Sequence, residues 1–145
     1  MIRRSVWLLS LAVVLATVAV AARAAQQPPP KSASGWILPP DAADTKNPLP
    51  VDAKLLLTGK GVFKDKCQKC HGPGGLGDGP DADPDAAEDM DLTRSSRAEK
   101  NPDGIIFYKI WNGRKKPKMT AQKDALTKDQ VWAVVAYVQT LRKKT

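Results

Sequence analysis

Both cysteines and the only histidine of this 145-residue chain fall within five consecutive positions, Cys67-Gln68-Lys69-Cys70-His71. Any site that needs a thiol or an imidazole must be built around this one point. A zinc site wants four ligands, and beyond these three residues the chain offers only carboxylates. A disulfide scaffold is excluded, because two cysteines close at most one short bridge. A thiol redox pair belongs in a βαβ setting, and no alternating strand pattern appears anywhere. A plain structural disulfide leaves His71 without a role.

The reading that employs all three residues is C-x-x-C-H haem attachment. Residues i and i+3 share a face on a helical turn, so the sulfurs of Cys67 and Cys70 reach one edge of a porphyrin. His71, one step later, places its imidazole under the ring as the proximal iron ligand. One such motif means one covalent haem c, and a single histidine excludes bis-histidine ligation within the chain. The methionines are then the candidates for the sixth position. Met1 leaves with the leader, Met90 lies in an acidic stretch, and Met119 follows Pro117. The long connection from His71 to Met119 can pass around the ring and deliver sulfur to its far face. Met119 is therefore the expected sixth ligand, with Met90 or no methionine at all as the alternatives. Cys67, Cys70, His71 and Met119 are the cofactor-binding residues, and His71 and Met119 are the iron ligands. No residue is assigned a catalytic role.

Organisation along the chain agrees. Arg3 and Arg4, an uncharged run from Ser5 to Ala22, and Ala22-Arg23-Ala24 form the three-part pattern of a secretory signal over residues 1–24, with an uncleaved anchor as the alternative. Seven of the twelve prolines lie in residues 25–50 and mark a linker, with Trp36 expected to pack on the domain and tie it down. The domain is then 51–145. Much of the 42% hydrophobic content sits in the leader, so the remainder is thin for a self-sufficient core. A porphyrin would supply the missing apolar body.

Within the domain, Asp52 is expected to cap a first helix running to Lys66, with Leu55, Leu56, Gly59 and Phe63 on one face. Five glycines between Gly72 and Gly79 open a loop, and Pro80 and Pro84 forbid a long helix in the acidic residues 78–91. Asp103 should cap a middle helix that stops near Gly113. Thr127 and Gln130 form a capping box for a last helix with Val131, Val134, Val135 and Val138 as its stripe. The fold class is all-α, three or more helices joined by long loops that wrap an object.

At these residues the chain resembles the small monohaem class I c-type cytochromes over about 51–145. Gly59, Phe63, Cys67, Cys70 and His71 match that family's first helix and haem-binding run. Trp132 and Tyr137 match its C-terminal helix, and Asn112-Gly113 followed by Met119 resembles its distal loop and sixth ligand. One departure is that Thr120, not proline, follows Met119. The resemblance implies a cytochrome c-like fold in which Gly59 lets the last helix cross closely while Phe63 and Tyr137 pack at the crossing. It also implies that the carbonyl accepting the His71 Nδ1 hydrogen comes from the glycine-proline loop, with Pro80 and Pro84 as candidates.

Ligation on both faces leaves no open position for substrate, and the expected function is one-electron transfer rather than enzymatic catalysis. The alternative is a haem sensor or small peroxidase with an open or displaceable sixth position; a third reading is a subunit that haem merely stabilises. The net charge is +8, and basic residues crowd Arg114, Lys115, Lys116 and Lys118 and the first helix at Lys60, Lys64, Lys66 and Lys69. A positive rim of this kind suits an acidic-faced redox partner such as a membrane dehydrogenase, a bc1-type complex or a terminal oxidase or reductase. Nucleic-acid binding does not suit an exported haem protein. The expected location is periplasmic or otherwise exported, with membrane contact if the leader stays uncleaved.

Overall fold

The structure is a computed structural model that describes residues 35–97 and 100–142. Residues 1–24, expected to be a signal, and the first part of the expected linker lie outside them. Helix α1 spans Ala53–Lys66, α2 Gln68–His71, α3 Ala87–Met90, α4 Asp103–Asn112 and α5 Lys128–Leu141. Single turns of 3-10 helix occupy Pro84–Ala86 and Ser95–Arg97. The described residues form no strand; isolated bridges pair Leu76 with Asp91 and Arg114 with Met119. None of their helices is long and apolar enough to cross a membrane.

Helix boundaries follow local chemistry. The Asp52 side chain accepts from Leu55 N at 2.8 Å and starts α1. Thr127 and Gln130 close a reciprocal capping box at α5. At α4 the cap position belongs to Pro102, and Asp103 is the first helical residue. Pro102 already has the extended backbone that a cap requires, and Asp103 places its negative charge in the first turn, where the helix dipole favours it.

The core lies where α1 crosses α5. A Cβ on Gly59 would collide with the Ala133 carbonyl, so only glycine permits this approach. Phe63 is 2% exposed and meets Tyr137 with ring centroids 5.3 Å apart. Val131, Val134, Val135 and Val138 are buried with it, and each such side chain contributes roughly 1.5–3 kcal/mol. Helix α4 joins through Phe107, whose ring stacks on Trp132 at 4.2 Å.

Residues 35–50 form no helix or strand, yet they lie against the domain. Trp36 and Ala42 are buried. The Asn112 amide donates to Ile37 O at 2.7 Å, and the Asn47 amide donates to Trp132 O at 3.1 Å.

Candidate functional site

Cys67 ends α1 and opens α2 at once. Its carbonyl accepts from Cys70 N at 3.2 Å and His71 N at 3.0 Å. This continuous turn sets the two sulfurs three residues apart and brings His71 directly after them. Gly72 then adopts a φ of 74°, which L side chains rarely tolerate, and the helix stops there. Cys67, Cys70, His71 and Met119 all line one cleft. An adjoining lobe shares Cys67, His71 and Met119 with it. The four residues singled out by sequence thus converge on one space.

His71 is held by a backbone group. Its Nδ1 lies 2.7 Å from the Met90 carbonyl. A carbonyl only accepts, so Nδ1 carries the hydrogen and Nε2 keeps its lone pair. Burial pushes the imidazole's pKa down, against the opposing effect of the Met90 bond. The neutral form is the one that can bind a metal. This corrects the expectation of a carbonyl from Pro80 or Pro84. Met90 reaches His71 because Leu92 N donates to Gly75 O at 2.7 Å and Gly77 N donates to His71 O at 2.9 Å, folding this segment back over the glycine loop.

No disulfide joins Cys67 to Cys70. Burial, reinforced by Cys70 and Asp65, pushes the Cys67 thiol up to about 12. A redox-active thiol shows the opposite shift, so this environment argues against a thiol-exchange centre. Among the described residues no three or more His, Cys, Asp or Glu side chains gather into a protein-only metal site.

The adjoining lobe spans about 740 Å³ of open space between its walls, the solvent at its mouth included. Phe63, Leu92, Ile106, Ile110, Val134 and Val138 give it an apolar lining, while Arg97, Lys109 and Arg142 give it a basic one. Burial, with Arg97 and Arg114 nearby, lowers the Lys109 pKa to about 8. Trp36 lines both lobes, and its ring carries the Arg114 guanidinium at 4.3 Å and the Lys109 ammonium at 5.1 Å. The basic lining was not legible beforehand, because residues 97, 109 and 142 share no motif or period.

Arg114 also departs from the expected surface rim. Its side chain is only 7% exposed and binds Asp89 at 2.6 Å. Lys115, Lys116 and Lys118 remain exposed, as do Lys60, Lys64, Lys66 and Lys69 on and beside α1. Lys66 pairs with Asp65 and Lys69 with Asp81.

A family model described as cytochrome c matches residues 56–142. Among solved structures, a chain of the Kuenenia stuttgartiensis reducing HAO-like protein complex is similar, with 24% sequence identity and a TM-score of 0.54. The match covers 68% of this chain and 50% of that one, so the present chain spans about half its neighbour's length. No curated protein matches the chain.

Proposed function

The chain belongs to the cytochrome c family, and from that premise we propose that it is a one-electron carrier whose single covalent haem is held by Cys67, Cys70, His71 and Met119. Family membership implies a covalently bound haem c. The residues present suit such a group: an apolar lining for a macrocycle, basic side chains for its carboxylates, and two thiols one helical turn apart at the edge. Bound there, haem supplies one reversible electron at iron.

The protein's own residues do the rest. His71 offers Nε2 while Met90 fixes its tautomer and orientation. Met119 offers a thioether from the same cleft, a soft ligand that sets a higher potential than a second imidazole. Phe63, Ile110 and Val134 keep water from the apolar side. A haem iron held by His71 and Met119 together would carry an electron rather than bind a substrate, so the reading is electron transfer. The observation that carries it is the aimed, neutral His71 sharing its cleft with Met119.

Exposed Lys115, Lys116 and Lys118 beside Met119, with the lysines of α1, support docking to an acidic-faced redox protein. The Kuenenia neighbour belongs to a reducing HAO-like complex, which supports redox proteins as the partner class. The leader pattern of residues 1–24 supports an exported location.

Intact mass spectrometry after co-production with a haem-attachment system tests the proposal. The expected product carries the mass of one haem, lost when both cysteines are replaced by serine. A colourless chain with two free thiols would overturn it.

A further inference from the structure

Two loops bring the proposed axial ligands together, and a bonded path runs between them. On one side, Met90 O holds His71 Nδ1 at 2.7 Å, and Asp89 directly precedes Met90. On the other, Arg114 and Met119 exchange both backbone hydrogen bonds, Arg114 N to Met119 O at 2.9 Å and Met119 N to Arg114 O at 3.0 Å. Between the loops, Arg114 Nη2 donates to Asp89 Oδ2 at 2.6 Å.

Each group in this link is restrained by further partners. Arg114 Nε donates to Pro117 O at 3.0 Å, and the guanidinium lies 4.3 Å over the Trp36 ring. The second Asp89 oxygen accepts from Arg97 Nη2 at 2.6 Å, and Arg97 also donates to Glu88 O. A charge-assisted bond this short, with one partner almost wholly covered, has a narrow range of geometries. Truncating Asp89 leaves the covered Arg114 guanidinium without its carboxylate, and truncating Arg114 leaves Asp89 to Arg97 alone.

Resting on the His71/Met119 reading, we propose that the Arg114–Asp89 pair is a strut that fixes the Met119 loop relative to the carbonyl aiming His71. Arg114 and Asp89 are accordingly positioning residues for the sixth ligand. The strut keeps the sulfur in place against competing ligands. Trp36 covers it from a segment that precedes the family-matched residues, so the 35–50 stretch takes part in setting the site.

The test uses the haem-loaded full chain, with two readouts: the weak red thioether–iron band of the oxidised protein, and titration with imidazole as a competing ligand. R114Q and D89N should each weaken the band and tighten apparent imidazole binding about tenfold, because the competitor meets a larger fraction of Met119-off protein. R114K should recover part of the wild-type behaviour, since it restores the charge but not the bonds to both Asp89 and Pro117. The double variant should be little worse than either single one. E88Q, which breaks the neighbouring exposed Arg94–Glu88 pair, should change neither readout. Should R114Q fail to fold, D89N carries the same test with Arg114 still bound to Pro117 and Trp36. Unchanged band and imidazole affinity in D89N, even with a lower melting temperature, would overturn the strut and leave an ordinary ion pair. Wild-type protein lacking the band would overturn the Met119 reading and the strut together; a wild-type band with unchanged variants overturns the strut alone.

Discussion

The α1–α5 crossing and the loops that face it hold their geometry by different means. At the crossing, Phe63, Val131, Val134 and Val135 are all but fully buried, and the helices meet over Gly59 with apolar surface as the adhesive. In the loops, position depends on single directional bonds: Met90 O to His71, Asp89 to Arg114, Arg114 to Met119. Apolar packing spreads its energy over many contacts, so it makes the fold stable without placing any one atom finely. Directional polar bonds place atoms while adding less stability. The division suits a redox protein, in which the scaffold must persist and the ligand atoms must be aimed.

Perturbations of the two regions should therefore separate in their readouts. The largest effect belongs to the crossing: Phe63→Ala should cost about 3–5 kcal/mol in guanidinium unfolding. Gly59→Ala comes next, at about 1–3 kcal/mol, because the new methyl group meets the Ala133 backbone and forces the helices apart. A strong spectral change with little loss of stability in either variant would break the comparison.

Acid should act on the loops first. Burial raises the Asp89 carboxyl, but hydrogen bonds and charge from Arg114 and Arg97 outweigh it and hold the group below its ordinary 3.8. A depressed folded-state pKa means stability fully present above the unfolded value and lost as pH falls through the folded one. The difference in melting temperature between wild type and Asp89→Asn should thus be flat above about pH 5 and shrink below about pH 4. A difference that grows on acidification would contradict this assignment. The smallest effect is Thr127→Ala, which removes the α5 cap for about 1 kcal/mol and should leave the spectrum unchanged.

The same division governs what the sequence reveals. Asp52, the Thr127–Gln130 box and the valine stripe of α5 are local patterns, and each appears where its spacing places it. Cys67, Cys70 and His71 are equally local, so the proposed attachment point is readable without any structure. Met90 supplies a backbone carbonyl, which every residue possesses, and no side-chain pattern could mark it. Asp89 and Arg114 meet across 25 positions with no period between them. Arg114 read as one more surface cation because charge runs reveal sign and not direction. Thr120 after Met119 departs from the family pattern, yet Met119 lines the cleft, held by its backbone pairing with Arg114.

The central claim is that His71 and Met119 bind one haem iron from opposite sides. The absorption spectrum of the oxidised holoprotein, recorded beside Met119→Ala, tests it most directly. A low-spin spectrum with a weak thioether–iron band in the wild type, replaced by a high-spin one in the variant, is the predicted result. A high-spin wild type, or identical spectra for the two proteins, would contradict it.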